Sequence, residues 1–430
     1  MPSLDLDPPA GEVVRNGEVE SGFYPGELRR ILSLEAHETA YREIGSWPDY
    51  APTPLHRLSG MAERADLGGL WYKDESGRFG IGSFKSLGGA YGVFRVLEAR
   101  IRAALESGAV SPAGGTDRSR RATGRDRVPG GPRGEHRRPS PGKDLAVTSD
   151  QLRSGAYGGL VAGITVTCAS AGNHGRSVAW GAEQVGCDCV VYVPAGTEDA
   201  RVEAISQHGA RVVRVDGGYD AALARASGEA RGDEDRIVVS DTAYDGHTEV
   251  PRVVMQGYTV LAREVLAQLP TGVRPTHLFL QAGVGGFAAA VTAHLWEALG
   301  PDRPRVAVVE AADADCLRRS ARRGRRVELE EVPRTEMGGL ACRAPSRLAW
   351  PVLRRGAHWF MAVHDGTSRV AARALADPAG DDPALAAGPS GAAGLAAALS
   401  GGVHRPSREI LGLEGDSRVL VVGTEGLPGR

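Results

Sequence analysis

Short apolar segments alternate with amphipathic segments through the middle of the chain. The stretches GCDCVVYVPAG, ARVVRVDG, THLFLQAG and RVAVVEA are largely apolar and are bounded by glycine, proline or polar residues. Between them, TEDARVEAISQHG, YDAALARASGEAR and FAAAVTAHLWEAL have the character of helices. Strands that alternate with helices indicate βαβ units. The pattern predicts an α/β fold with a mostly parallel sheet.

Two segments lack this pattern. Residues 1–22 are acidic, contain proline and have no apolar run, and we expect them to form a disordered tail. Residues 111–144 are rich in Gly, Pro and Arg, so they cannot bury enough surface to offset the entropy of ordering. We predict that 111–144 is a disordered insertion in a folded domain, either a solvated loop or an arm that binds a partner.

Composition argues against several classes of protein. The chain has 430 residues, a formal net charge of −2 and 5% aromatic residues, which does not favour binding to nucleic acid or to a membrane surface. No apolar run reaches the roughly 18 residues of a membrane span, and the N-terminus lacks the apolar core of a signal peptide. The five cysteines lack zinc-site spacing. We expect no metal site and a reducing, cytoplasmic location.

Glycine-rich loops follow three of the predicted strands. In open α/β sheets, ligands bind at the carboxyl ends of strands, and a glycine-rich turn before a helix suits an anion. The second loop suits a phosphate, although it lacks the spacing of a dinucleotide fingerprint or a P-loop. A tight turn without a ligand is the alternative for each loop. The loops are Ser170, Ala171, Gly172, Asn173, His174 and Gly175; Gly283, Val284, Gly285 and Gly286; and Gly423, Thr424, Glu425 and Gly426.

Lys85 lies among small and apolar residues, in the stretch GRFGIGSFKSLGGAYGVFRV. Desolvation would lower the pKa of this lysine and make its amine nucleophilic. Such an amine forms a Schiff base with carbonyl compounds, and the usual partner is pyridoxal 5'-phosphate. A lysine in this setting, a phosphate loop, an anion loop and a hydroxyl at a strand end together predict that cofactor.

The chain resembles the fold-type II pyridoxal-phosphate enzymes, which include the threonine and serine dehydratases and the cysteine synthases. Within this group it is similar to the diaminopropionate ammonia-lyases. The resemblance covers residues 24–426 apart from the insertion, in the family's order. It implies a two-domain fold like that of the tryptophan synthase β-subunit, with mostly parallel twisted sheets. The matching stretches include APTPLHRL, LWYKDESGRFGIGSFKSLGGAYGV, AGNHGRSVAWGAEQVG, SDTAYDGH, PTHLFLQAGVGG, GPSGAAGLAAAL and VLVVGTEG.

The resemblance also implies how the chain is organised. We expect a large domain that binds pyridoxal phosphate, formed by residues 23–85 and 236–430. Residues 86–235 would form a small domain that contains the insertion. The two domains would face each other across the cofactor. A homodimer and a small amino-acid substrate are expected from the family.

Cofactor-binding roles follow from the matching positions. The resemblance implies that Lys85 carries the cofactor and that Asn173 forms a hydrogen bond with its ring hydroxyl. Thr424 would lie near the pyridine nitrogen, where a hydroxyl leaves that nitrogen unprotonated and makes the cofactor a milder electron sink. The phosphate would be held by the backbone N–H groups of Gly283, Val284, Gly285 and Gly286.

Substrate-binding and catalytic roles follow in the same way. Asp241 matches an acidic active-site position of the ammonia-lyases. The loop expected to close on the substrate carboxylate contains Ser170, Ala171, Gly172 and His174. The family commonly has an aspartate where this chain has Ala171. Because Lys85 serves only one face of the cofactor, we expect a preference for the L-enantiomer or for a different β-substituted amino acid.

Three other motifs depart from the family's pattern. The first has Tyr244, Asp245, Gly246 and His247 where the family has Trp-Glu-Gly-Tyr. The second has Gly388, Pro389, Ser390 and Gly391 where the family has Gly-Glu-Ser-Gly. In the third, Gly423 replaces a serine, so the hydroxyl near the ring nitrogen is ambiguous by one residue.

Three functional hypotheses remain open at this point. The first is β-elimination from 2,3-diaminopropionate or a closely related β-substituted amino acid, which gives pyruvate and ammonia. Lys85 would remove the α-proton and Asp241 would protonate the leaving amine. The second is a dehydratase-like or β-replacement enzyme with the same cofactor, favoured by the loop SAGNH. The third is a non-catalytic binding protein that retains the fold.

Overall fold

The computed structural model describes residues 6–107, 147–378 and 380–427. The predicted insertion, 111–144, and the first five residues of the predicted tail lie outside the described residues. Within them, the strands form two sheets. The strands are β1 (Val14–Arg15), β2 (Leu55–Arg57), β3 (Gly69–Asp74), β4 (Thr165–Ala169), β5 (Asp188–Pro194), β6 (Arg211–Val215), β7 (Arg236–Val238), β8 (His277–Gln281), β9 (Arg305–Ala311), β10 (Trp359–Val363) and β11 (Arg418–Gly423).

Most helices connect a strand to the next strand. None of those in the described part of the chain is long and apolar enough to cross a membrane. The α-helices are α1 (Leu34–Gly45), α2 (Ser59–Arg64), α3 (Lys85–Glu106), α4 (Ser149–Arg153), α5 (Gly158–Val161), α6 (Asn173–Val185), α7 (Asp199–Ser206), α8 (Tyr219–Arg231), α9 (Glu249–Gln268), α10 (Gly286–Leu299), α11 (Cys316–Arg323), α12 (Ala349–Gly356), α13 (Asp365–Ala376), α14 (Pro389–Val403) and α15 (Arg405–Leu411). Short 3₁₀ segments span Gly26–Arg30, Arg78–Gly80, Gly300–Asp302 and Gly338–Leu340.

The larger sheet has seven strands in the order β1-β10-β9-β8-β11-β3-β2. Its five central strands are parallel, and the edge strands β1 and β2 pair antiparallel. Every residue of β3 and β8 is buried, as expected for parallel strands that are covered on both faces. The apolar helices α10 and α14 are buried over most of their length. The predicted α/β fold with mostly parallel sheets is confirmed.

The smaller sheet has four parallel strands in the order β6-β5-β4-β7. The predicted domain boundary at residue 235 excludes β7, yet β7 pairs with β4, with Arg236 opposite Thr165. The boundary is therefore misplaced, because a strand of three residues gave no clear signal of which sheet it joins. We propose that each sheet is the centre of one domain and that the small domain extends through Val238.

The prediction of a disordered tail is wrong for residues 6–22. β1 pairs with β10, and the Ala10 N–H donates to the carbonyl of Ala362 at 2.8 Å. Ala10, Val13 and Val14 are buried. The segment contains few apolar residues, but those it has pack at the edge of the larger sheet. Composition alone does not reveal such pairing with a strand more than 300 residues away.

Candidate active site

Lys85 is the first residue of α3, and the small residues that follow allow α3 to pack closely between α6 and α9. A Cβ on Gly88 would lie 2.3 Å from Cε1 of Tyr258 on α9, and one on Gly89 would lie 2.4 Å from Oγ of Ser177 on α6. Larger residues would force these helices apart. The Ser177 hydroxyl also donates to the Lys85 carbonyl at 2.8 Å. The glycine run therefore fixes Lys85 where three helices meet.

Lys85 contacts Asp241 directly. Its Nζ donates to Oδ2 of Asp241 at 2.6 Å, and the lysine side chain is 23% exposed. Asp241 lies in the loop after β7, three residues beyond Val238. The same Nζ lies 5.4 Å from the ring centroid of Phe84 and 5.7 Å from that of Tyr258. The structure thus brings together the two residues that the sequence analysis assigned to catalysis.

The charge of Lys85 differs from the prediction. Burial lowers the pKa of the amine, as expected, but the Asp241 carboxylate outweighs burial, so the pKa is raised above its ordinary value. For Asp241, burial favours a higher pKa, but the Lys85 ammonium holds the pKa well below its usual range. While the Lys85 amine is free, the pair is therefore an ammonium and a carboxylate. The sequence shows the small and apolar neighbours of Lys85 but not this contact with Asp241.

The turn between β4 and α6 contains the predicted substrate loop. Ser170, Ala171 and Gly172 are partly exposed, and the Gly172 N–H donates to Oγ of Ser170 at 3.3 Å. Asn173 begins α6. The N–H groups in the first turn of a helix have no partner within the helix, so they are available to an anion. The loop therefore has the donors that a carboxylate needs.

His174 lies beneath this loop and is 4% exposed. Its Nε2 is 2.9 Å from the Val239 carbonyl oxygen, which can only accept, so Nε2 carries the proton. Its Nδ1 is 3.9 Å from Oδ2 of Asp241. Burial lowers the pKa of the His174 imidazole. The ring therefore contacts the predicted acid rather than opening to solvent.

Asn173 links the two sheets. Its Nδ2 donates to Oε2 of Glu425, in the loop after β11, at 2.7 Å. Burial raises the pKa of the Glu425 carboxyl, and hydrogen bonds from Ser390 and Asn173 oppose that rise. An amide nitrogen has two hydrogens, so one remains for another acceptor. Asn173 can therefore hold a ligand hydroxyl while Glu425 orients it.

The loop between β8 and α10 forms a cradle of backbone. A Cβ on Gly283 would lie 2.7 Å from Sγ of Cys342. Gly285 has φ of +93°, which favours glycine. A Cβ on Gly286 would lie 3.9 Å from the carbonyl oxygen of Asp241, so the loop runs beside the Lys85–Asp241 pair. The first turn of α10 supplies free N–H groups, which suit a phosphate. The loop consists of Gly283, Val284, Gly285 and Gly286.

Thr424 follows β11 and is 4% exposed. Its Oγ1 accepts from Nε2 of Gln281 at 2.9 Å, and its carbonyl accepts from the Phe84 N–H at 3.1 Å. At Gly423, a Cβ would lie 1.9 Å from the hydroxyl of Tyr72, so Tyr72 occupies the place of any side chain there. The strand-end hydroxyl of this chain is therefore that of Thr424.

These residues fit pyridoxal phosphate. The amine of Lys85 can hold its aldehyde, and the first turn of α10, after the glycine loop 283–286, offers backbone N–H groups to its phosphate. Asn173 and Thr424 supply polar groups that would contact its ring hydroxyl and its ring nitrogen. Within the described residues, no cluster of three or more His, Cys, Asp or Glu side chains could hold a metal ion.

The sequence analysis did not assign three residues that adjoin the site. Glu425 had a signal, because it stands next to Thr424 in a strand-end loop. Tyr258 and Cys342 had none, because they are far from Lys85 in sequence and meet it only in the fold. The Tyr258 hydroxyl is buried and lacks a hydrogen-bond partner among the described residues.

Comparisons with known proteins agree with this geometry. Residues 145–425 match the family model described as pyridoxal-phosphate dependent enzyme. The diaminopropionate ammonia-lyase of Escherichia coli (strain K12) is 34% identical over 416 residues, which cover 95% of this chain and 92% of that protein. The crystal structure of the selenomethionine-containing holo enzyme from Escherichia coli has a TM-score of 0.80 at 31% identity, and the match covers 98% of this chain and 95% of that one.

A further Escherichia coli structure is that of diaminopropionate ammonia-lyase in complex with an aminoacrylate-PLP azomethine reaction intermediate. It has a TM-score of 0.78 at 30% identity, with 100% of this chain and 96% of that one covered. The predicted fold type, the predicted cofactor and the resemblance to these ammonia-lyases are confirmed. The chain belongs to the pyridoxal-phosphate-dependent enzyme family.

Proposed function

We propose that the chain is a carbon–nitrogen lyase of the ammonia-lyase type. Its substrate is 2,3-diaminopropionate or a closely related β-substituted amino acid, and its products are pyruvate and ammonia. The observation that carries this proposal is the contact of 2.6 Å between Lys85 Nζ and Asp241 Oδ2 beside the glycine loop. The contact provides a base and an acid within reach of one small substrate.

Lys85 has two roles in this proposal. It holds the cofactor, and when its amine is free and has passed a proton to Asp241, it accepts the α-proton of the substrate at Nζ. When bound, pyridoxal phosphate supplies an electron sink for the charge that develops at the α-carbon. The aromatic rings of Phe84 and Tyr258 flank Nζ and limit its contact with water. The two rings therefore restrict the orientation of the Lys85 amine.

Asp241 protonates the leaving group. An amine leaves a carbon poorly unless it gains a proton. The electron pair of the bond between the β-carbon and nitrogen departs with the nitrogen, which takes its proton from the Asp241 carboxyl. Elimination therefore leaves the pair as an ammonium and a carboxylate. Transfer of a proton from Lys85 to Asp241 across their hydrogen bond then restores the free amine and the acid that the next turnover needs.

The remaining site residues bind and orient. Backbone N–H groups of loop 283–286 would hold the phosphate, and Thr424 would stand near the ring nitrogen. Asn173, braced by Glu425, would hold the ring hydroxyl. The turn formed by Ser170, Ala171 and Gly172 would bind the substrate carboxylate at the start of α6. The partly exposed backbone of that turn and its free N–H groups support this assignment.

Ala171 limits the stereochemistry. A side chain of one methyl group cannot accept a proton, so the β4–α6 turn provides no base at this position. We expect turnover of L-diaminopropionate to exceed that of the D-enantiomer. Steady-state rates with each enantiomer check this, and A171D should raise the D rate selectively. Equal rates for the two enantiomers with the unmodified chain would contradict the assignment.

The central test monitors the visible absorbance of the purified protein and its products together. Adding L-diaminopropionate should change the cofactor band while pyruvate and ammonia form in a ratio of one to two. Pyruvate or 2-oxobutanoate from serine or threonine, with none from diaminopropionate, would favour the dehydratase alternative. A changed band without a 2-oxo acid until a nucleophile is added would favour β-replacement. The absence of a cofactor band would favour the non-catalytic alternative.

We further propose that the enzyme is a cytoplasmic homodimer. All five cysteines are free and four are buried, which fits a reducing compartment. Phe23 is 79% exposed and provides an apolar contact that a second copy would cover. Light scattering after gel filtration should give twice the mass of 45.1 kDa. The monomer mass would contradict the dimer.

A further inference from the structure

The His174 ring has one nitrogen without a partner. Its Nδ1 is buried and lacks a hydrogen-bond partner among the described residues. Its other nitrogen, Nε2, donates to the Val239 carbonyl at 2.9 Å, which fixes the tautomer. A buried lone pair without a donor is costly, so its presence requires an explanation. Nδ1 lies 3.9 Å from Oδ2 of Asp241.

Asp241 therefore lies between two nitrogens. Its Oδ2 accepts from Lys85 Nζ at 2.6 Å and lies 3.9 Å from the bare Nδ1 of His174. A carboxylate and a lone pair repel each other, whereas a single proton between them satisfies both. When the Lys85 ammonium no longer contacts Asp241, a proton shared between Asp241 and Nδ1 of His174 is therefore favourable.

We propose that His174 is a positioning residue that holds the proton of Asp241 for delivery to the leaving amine. This inference rests on the proposed function. When Lys85 has given a proton to Asp241 and its amine is engaged away from that residue, the Asp241 carboxyl donates its O–H to Nδ1 of His174. During elimination that proton passes to the departing nitrogen, which takes the electron pair of its bond to the β-carbon. The step requires no oxidant or reductant.

Other groups around Asp241 do not substitute for His174. The Thr242 hydroxyl donates to the opposite oxygen, Oδ1, at 3.2 Å. Burial raises the pKa of the Cys342 thiol to about 12 and also raises the pKa of Cys168, Tyr219 and Tyr258. These groups therefore remain protonated and neutral near neutral pH. Among the described groups around Asp241, only Lys85 and His174 remain to exchange charge with it.

The first test is a double-mutant cycle on kcat with whichever amino acid the enzyme turns over. H174Q keeps an amide N–H for the Val239 carbonyl but removes the acceptor at the Nδ1 position. We expect H174Q to lower kcat roughly tenfold or more in the unmodified enzyme, and to lower it far less in a D241N background. An equal loss in both backgrounds would overturn the proposal, since it would show a purely structural role.

The matched control is H277Q. His277 is also buried, 3% exposed, and its Nε2 contacts the carbonyl of Leu411 at 3.1 Å. Its Nδ1 has a partner, however, in the hydroxyl of Thr276 at 2.8 Å. We expect H277Q to change kcat by the same factor with and without D241N. Coupling of H277Q to D241N as strong as that of H174Q would overturn the specific role of His174.

The second test does not depend on turnover. Nitrogen-15 spectra of the full-length, cofactor-loaded protein with labelled histidine report the tautomer and titration of each ring, and H174Q assigns the His174 signal. We expect a proton on Nε2 and a bare Nδ1, and D241N should lower the proton affinity of His174 roughly tenfold or more while His277 is unaffected. An Nδ1–H tautomer, or an unchanged titration in D241N, would overturn the proposal even if diaminopropionate is not the substrate.

Discussion

Two lysines of this chain each donate to a carboxylate at 2.6 Å, yet they serve different purposes. Lys73 contacts Glu264 and is 0% exposed, whereas Lys85 contacts Asp241 and is 23% exposed. The Nζ of Lys73 has two further acceptors, the Thr53 carbonyl at 2.6 Å and Oε1 of Gln268 at 2.9 Å. An ammonium has three donors, and those of Lys73 are all used.

Among the described residues, Nζ of Lys85 has one hydrogen-bond acceptor, Oδ2 of Asp241, so two of its three donors are unused there. Burial lowers the pKa of Lys73 despite the nearby carboxylates, and the Arg78 guanidinium adds to that effect. For Lys85, the single carboxylate prevails and the pKa is raised. The number of unused donors, rather than the presence of an ion pair, distinguishes the reactive lysine from the structural one.

The buried ion-pair network that contains Lys73 nevertheless supports the position of Lys85. Arg78 donates to both Glu75 and Glu264, with shortest contacts of 2.8 and 2.7 Å. These residues anchor the segment that leads from β3 into α3, where Phe79 has φ of +51°. A non-glycine residue in that region is strained and persists only where its surroundings hold it. The buried network therefore fixes the start of α3 and, with it, the amine of Lys85.

The largest expected effect follows from removing the reactive amine. K85M should lower kcat at least about 10⁴-fold, because the cofactor loses its covalent partner and the substrate loses its base. The free energy of unfolding should change by less than about 2 kcal/mol, since the site is partly exposed. Pyruvate release and urea denaturation measure the two quantities. Retention of turnover in K85M would remove the distinction between the lysines.

Replacing Lys73 should instead lower the stability of the fold and leave kcat nearly unchanged. K73M leaves the acceptors around Nζ without a donor and gives the buried network a net negative charge, which should cost about 3 kcal/mol of unfolding free energy. The kcat of the folded fraction should change little. The double variant K73M/E264Q restores charge balance and should recover part of the loss. A large fall in kcat without a loss of stability would show that Lys73 also belongs to the chemistry.

Much of the fold and part of the site were predictable from local patterns. Apolar runs followed by glycine turns identified the carboxyl ends of β4, β8 and β11, because parallel strands and helix N-termini have local signatures. The unusual surroundings of Lys85 indicated the lysine that we propose holds the cofactor. What local sequence did not reveal is tertiary contact: β1 at the sheet edge, Glu425 beside Asn173, and the carboxylate beside Lys85.

The charge of Lys85 shows why tertiary contacts matter in addition to local sequence patterns. The sequence showed a lysine among small residues, from which desolvation and a lowered pKa were predicted. The structure shows that the small residues are there for helix packing, and that Asp241 reverses the direction in which the pKa moves. A contact between residues 156 positions apart therefore outweighs the local environment.

The smallest predicted effect isolates that contact. Only a neutral amine attacks an aldehyde, so protein freed of cofactor should take up pyridoxal phosphate faster as rising pH deprotonates Lys85. Asp241 raises the pKa of Lys85, so D241N should move this rise to lower pH. At a fixed neutral pH, D241N should then take up the cofactor about tenfold faster, because a larger fraction of the amine is neutral. Rapid-mixing absorbance across the neutral range measures it.

D245N provides the control for this experiment. Asp245 lies in the same loop as Asp241, but it is 82% exposed and pairs with Arg347. Because solvent screens an exposed carboxylate, D245N should leave the pH dependence of uptake unchanged. A rise that moves to higher pH in D241N, or one that moves equally in both variants, would mean that Asp241 does not set the charge of Lys85. The charge of Lys85 would then be set by several surrounding groups together rather than by one contact.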